Sequence, residues 1–183
     1  MAAPRTTRTH DGQGSWRGHF VLLIPVPRLE SFVRARTIFY DASFLSDDPA
    51  FTHAHVTLLA PLDSPPGHEE VARVLRGHEP FDFELSRLGV FRNGGIHLKP
   101  DPAEPFSALI HALMRAFPQV RPFGGPDPEP HLTLDMVSDE VDVASTRALL
   151  GDLVPAHCRA DRVELHRYEA NACRVLDSWP LLG

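Results

Sequence analysis

His55-Val56-Thr57-Leu58 and His131-Leu132-Thr133-Leu134 are the two stretches from which the rest of the chain can be read. Each spells His, an aliphatic residue, Thr and Leu. A shuffled chain of this composition, with 11 histidines in 183 residues, would carry that pattern twice only about once in a thousand. The recurrence therefore points to internal duplication. On an extended strand, residues two apart share a face, so His55 and Thr57 project one way while Val56 and Leu58 enter an apolar layer, and His131 and Thr133 do the same against Leu132 and Leu134.

Outward from the motifs, the two halves keep one frame. Val21 precedes His55 by 34 positions and Ile96 precedes His131 by 35. Hydrophobic periodicity predicts a strand over 19–26, a helix over 28–44, a strand over 53–59, a helix over 69–78 with Val71, Val74 and Leu75 inward, and a strand over 81–91. Asn93, Gly94 and Gly95 read as the positive-φ residues of a hairpin turn into a strand at 96–99. The order then repeats: helix 104–117, strand 131–137, helix 139–150 and a long strand 157–168, with a last strand at 172–179. The expected fold class is α+β, two duplicated β-α-β-α-β units related by a pseudo-two-fold axis around a central cleft. Residues 1–18 read as a loose polar tail and 19–183 as one bilobal domain, with repeat 1 over 19–91 and repeat 2 over 95–168. The Pro- and Gly-rich stretch 121–130 reads as a mobile connector running into His131, placed to form one wall of a site.

Composition bounds the function classes. Hydrophobic residues make up 43% and charged residues 23%, ordinary for a soluble globular chain, and no apolar run approaches the ~18 residues of a membrane span. The polar opening holds no secretory core, which points to the cytoplasm. Cys158 and Cys173 are expected as free thiols. A net charge of -6 argues against charge-driven binding to long nucleic acid, which needs a basic face to displace counterions. A small anionic ligand in a local pocket remains open, and a monomer is expected.

Two imidazoles and two hydroxyls facing across a pseudo-dyad suit in-line displacement at phosphorus. One neutral His takes a proton from the nucleophile while one protonated His gives a proton to the leaving oxygen. Thr hydroxyls can donate to the non-bridging oxygens, where charge grows in the transition state. The scheme calls for no metal and no cofactor. His53 shares the face of His55 and suggests a zinc pair, but Glu129 stands at the equivalent place in the second half and no third ligand is spaced for it. Phe91, Arg92, Phe123 and Tyr168 are candidates for the substrate rim, where aromatic platforms stack on a base.

These motifs in this order resemble the 2H phosphoesterase superfamily, in particular its 2'-5' RNA ligase and cyclic phosphodiesterase branch, over nearly the whole chain after the tail. The resemblance implies a bilobal α+β body with His55 and His131 as acid and base and Thr57 and Thr133 as phosphate ligands. It implies a phosphodiesterase acting on a cyclic phosphate of a nucleotide or a short RNA end. Joining of RNA ends without ATP, a nucleotide-binding module without turnover, and a metabolic phosphoesterase on an unusual small molecule are the alternatives. One departure matters: many relatives carry an arginine shortly after the second motif, whereas Asp135, Met136 and Val137 follow it here.

Overall fold

Alternation of burial within the two motif tetrapeptides fixes the frame of the fold. The computed structural model describes residues 18–183, so the tail expected over 1–18 lies, Gly18 apart, outside the described residues. Val56, Leu58, Leu132 and Leu134 are each at most 3% exposed, while His55, Thr57 and His131 are half-buried and Thr133 is exposed. Burying each aliphatic side chain contributes about 1.5–3 kcal/mol, so a one-residue slip in either strand would forfeit that burial and turn the imidazoles inward.

The strands are β1 (His19–Pro25), β2 (His55–Leu62), β3 (Phe81–Val90), β4 (Gly95–Asp101), β5 (Leu132–Met136), β6 (Ala156–Ala160), β7 (Arg162–Tyr168) and β8 (Arg174–Pro180). The helices are α1 (Glu30–Asp41), α2 (His68–Leu75), α3 (Glu104–Ala116) and α4 (Val143–Leu150). Two four-stranded sheets form, in the orders β2-β1-β7-β8 and β5-β4-β3-β6, and every strand pair is antiparallel. Side by side, the orders match β2 with β5, β1 with β4, β7 with β3 and β8 with β6, which is what a pseudo-two-fold repeat requires. The motif strands β2 and β5 are edge strands, one per sheet, and they lie against each other.

Chain and sheet do not divide at the same place. β3 follows the first half in sequence but pairs with β4 and β6, while β7 returns to β1. The single strand expected over 157–168 is two strands, interrupted at Asp161, whose carbonyl accepts from the Leu181 N–H. β6 adds to one sheet and β7 to the other, so the break is where the chain changes lobes. In the turn between β3 and β4 only Gly94 carries a positive φ, at 90°. Asn93 instead accepts from the Gly95 N–H through its side chain at 3.1 Å, an Asx-type contact that shapes the turn without a left-handed residue.

The helices start where their local chemistry allows. Asp142 caps α4, its carboxylate accepting from the Ser145 N–H while the Ser145 hydroxyl accepts from the Asp142 N–H, a reciprocal box that satisfies two otherwise orphaned donors. α2 turns Val71 and Leu75 inward as its spacing predicts. One continuous buried cluster joins both sheets to all four helices, with Phe32, Leu75, Phe106 and Leu150 as helix contributions. Cys158 and Cys173 are free thiols. No helix among the described residues is long and apolar enough to cross a membrane.

Candidate active site

Because β2 and β5 meet edge to edge, their polar faces open into one cavity. Its volume is about 530 Å³, and His55, Thr57, His131 and Thr133 all line it. The remaining walls come from α1 and from the end of β7: Val33, Arg36, Thr37, Tyr40 and Asp41 form one helical face at three- and four-residue spacing, and Tyr168 closes the side next to His55.

The two imidazoles are held in the same way. His55 Nδ1 donates to the His53 carbonyl at 2.7 Å and His131 Nδ1 donates to the Glu129 carbonyl at 2.7 Å. A carbonyl only accepts, so Nδ1 carries the hydrogen in both rings, and Nε2 is the nitrogen whose protonation changes with the chemistry. Aromatic rings back both. Tyr168 lies 5.7 Å from His55 between ring centroids, with its hydroxyl 3.2 Å from Nδ1, and Phe91 meets His131 edge to face at 4.7 Å.

Their surroundings differ. Burial lowers the pKa of His55 from 6.5 to about 4, outweighing the hydrogen bond to the His53 carbonyl, and the nearby imidazoles of His166, His131 and His53 push the same way. His55 is therefore neutral at pH 7. Burial also raises the Tyr168 phenol well above its usual value, so its hydroxyl stays protonated. On the other wall, His97 stacks on Phe91 at 3.8 Å and lies edge-on to His131 at 5.5 Å.

His53 is buried and both of its nitrogens are engaged: Nδ1 donates to Glu30 at 2.6 Å and Nε2 accepts from the Ser46 N–H at 3.2 Å. It is a structural post rather than an open ligand. Glu30, the first residue of α1, also accepts from the Ala54 N–H at 3.0 Å. Burial works to raise its carboxyl, but these hydrogen bonds hold it below the ordinary value. Glu30 thus pins the peptide whose carbonyl orients His55. Glu129 is pinned in turn by an ion pair with Lys99. Among the described residues no group of three or more His, Cys, Asp or Glu is placed to hold a metal ion.

Of the four rim candidates, Tyr168 lines the cavity, whereas Phe91 stands behind His131. Arg92 is exposed in the β3–β4 turn. Phe123 is 69% exposed and packs edge-on against His19. Neither is among the residues lining the cavity. The 121–130 stretch is fastened by the Phe123 N–H to the Ala60 carbonyl at 3.1 Å. Arg36 and Tyr40, which no motif marks, join Asp135 in lining the cavity. Arg36 donates to Asp135 Oδ1 through Nη2 at 2.6 Å and Nε at 3.1 Å, and Tyr40 donates to the same oxygen by a short bond. The row Val33, Thr37, Asp41 with Arg36 and Tyr40 was visible as a helix face mixing charge and aromatics, though nothing in it named the strand it would meet.

The family model of the 2'-5' RNA ligase superfamily matches residues 25–172. The chain belongs to that superfamily. Among curated proteins none matches it significantly. Of solved structures, Thermus thermophilus TT0787 is 23% identical with a TM-score of 0.59, over 90% of this chain and 98% of that one. E. coli LigT complexed with 3'-AMP is 16% identical with a TM-score of 0.58, over the same shares. A further phosphoesterase is 17% identical with a TM-score of 0.54, over 91% and 99%. At these identities the superfamily's fold is what is shared: an α+β body of two antiparallel sheets and four helices.

Proposed function

We propose that this superfamily member is a metal-independent phosphodiesterase that opens a cyclic phosphodiester, the 2',3'-cyclic phosphate of a nucleotide or short RNA end. The observation carrying this reading is the convergence of both His-x-Thr motifs on one cavity, each imidazole fixed through Nδ1 to the carbonyl two residues upstream. That LigT is complexed with 3'-AMP and, separately, with phosphate supports a small nucleotide as the ligand class.

In the proposed reaction His55, neutral because its pKa is held at about 4, takes the proton of the attacking water through Nε2. A new P–O bond forms as one ribose P–O bond of the ring breaks, and protonated His131 gives its Nε2 proton to the departing ribose oxygen. One water is consumed and a phosphomonoester is released. Proton exchange with solvent then restores both rings. Thr57 and Thr133 donate to the non-bridging oxygens. A base of pKa about 4 is weak, but the bound phosphodiester anion favours the imidazolium and lifts that value in the complex. Tyr168 lies against the Nδ1 side of His55 and leaves Nε2 to the substrate.

The test is turnover by the purified chain of a panel of 2',3'-cyclic nucleotides, ADP-ribose cyclic phosphate and 2'-5' linked oligonucleotides, in the presence of EDTA. Release of a phosphomonoester from a cyclic compound is expected. Joining of ends without hydrolysis, or loss of turnover in EDTA with rescue by zinc or magnesium, would replace this reading.

A further inference from the structure

We infer that the α1 wall makes this cavity selective for phosphodiesters whose remaining substituent is uncharged, and that Asp135, by engaging Arg36, sets that selectivity. The inference rests on the function proposed above and narrows its substrate class to cyclic phosphates of nucleosides without further phosphates, setting RNA ends aside. Its first observation is the buried carboxylate of Asp135, the residue directly after the second motif.

Asp135 is inaccessible, with 0% of its side chain exposed. Its Oδ1 accepts from Arg36 Nη2, Arg36 Nε and the Tyr40 hydroxyl, and its Oδ2 accepts from the Thr146 hydroxyl at 3.1 Å. Arg36 is 13% exposed at its side chain, and its guanidinium lies 4.1 Å from the Phe39 ring centroid. Swinging Arg36 out to a ligand phosphate would strand a buried carboxylate, so the cation stays with Asp135. Other polar atoms of the wall are engaged too. Tyr40 Oη accepts from the Met136 N–H at 3.0 Å, and the Thr37 hydroxyl donates to the Val33 carbonyl at 3.0 Å.

Two consequences follow. What this side of the cavity offers a substrate is hydrocarbon and ring surface from Val33, Tyr40, Phe44 and Met136, suited to a flat uncharged group such as a nucleobase. Among the described lining residues, Arg36 is the sole Lys or Arg, set against Asp135 and Asp41. The reacting phosphodiester has the histidines and threonines to receive its single charge. A second phosphate on the same molecule would meet the Asp41 carboxylate and a cation whose charge Asp135 already offsets, and like charges brought together disfavour the wrong ligand.

The experiment compares kcat/KM for adenosine 2',3'-cyclic phosphate and its 5'-phosphorylated counterpart. Wild type is expected to favour the former by at least roughly tenfold, with the ratio shrinking as salt screens the repulsion. Asp135→Asn removes the charge that holds Arg36 and is expected to bring the ratio toward one by improving the 5'-phosphorylated compound. Equal wild-type values, or a ratio that neither salt nor Asp135→Asn alters, would overturn the inference and leave the two-histidine reading standing. Should Asp135→Asn not fold, the salt dependence of the wild-type ratio decides alone. If neither cyclic compound turns over, the proposed function falls, and titration with adenosine 2'-monophosphate against the 2',5'-bisphosphate still decides the charge preference: equal affinities overturn it.

Discussion

His55 and His131 make the same hydrogen bond 76 positions apart in sequence, each donating from Nδ1 to the carbonyl two residues before it at 2.7 Å. The bond is local to a strand that begins at or just after the histidine, so duplication of the motif duplicated the tautomer with it. Two rings with fixed Nδ1–H and variable Nε2 are what a paired acid and base need.

The difference between the rings predicts the pH dependence. The acid limb of kcat/KM reports His55 in the free enzyme and is expected near its value of about 4. The acid limb of kcat reports the complex, where the substrate anion favours the imidazolium, and is expected at higher pH than the limb of kcat/KM. Parallel profiles with coincident acid limbs would remove His55 from the role of base.

The same depressed pKa couples folding to pH. His55 binds a proton more readily unfolded, at 6.5, than folded, at about 4, so the unfolded state takes up more protons between those values and stability falls as pH drops through them. Burial depresses His19 and His97 in the same direction. His55→Gln, which does not titrate, is expected to lose less Tm than wild type between pH 6.5 and pH 4. Calorimetric scans across that window check it, and an unchanged pH slope would contradict it.

Glu30 carries a structural prediction with a catalytic readout. Both carboxylate oxygens accept, from His53 and from the Ala54 N–H, and a glutamine can supply only one acceptor oxygen. Glu30→Gln is expected to cost about 1–3 kcal/mol of stability, the penalty of an unsatisfied buried donor, and to lower kcat by loosening the carbonyl that orients His55. Denaturant midpoints and kcat measured together test this. A destabilised variant with wild-type kcat would show that the anchor serves the fold alone.

What was legible in the sequence was what is local or periodic. The motif tetrapeptides, the strand alternation and the inward row Val71–Leu75 are readable because sheet and helix periods act within a few residues. The role of Asp135 was hidden because its partners Arg36 and Tyr40 lie on a helix 99 and 95 positions away, and a helix face advertises its composition but not the strand it will meet. The break at Asp161 was invisible for a related reason: β6 and β7 follow one another with a single residue between them, and only the pairing of the two sheets decides where the chain crosses. Phe123 and Arg92 were expected at the rim from their residue types; both are exposed and neither lines the cavity.

Thr57 and Thr133 line the cavity and in the proposed reaction each donates one hydrogen bond to a charged oxygen. Replacing either by Val is expected to raise the barrier by about 1.5–3 kcal/mol, with kcat affected more than KM because the charge on those oxygens grows in the transition state. A change confined to KM would assign the hydroxyls to ground-state binding.

The central claim is that His55 and His131 act as one acid-base pair, and kcat for His55→Ala, His131→Ala and the double variant, on a cyclic nucleotide between pH 5 and 9, tests it most directly. Each single is expected to lose on the order of a hundred- to ten-thousand-fold and one limb of the bell-shaped profile. The double is expected to be little worse than the worse single, since groups acting in one transition state are not additive. Near-wild-type turnover in either single, or losses that multiply in the double, would contradict the pair.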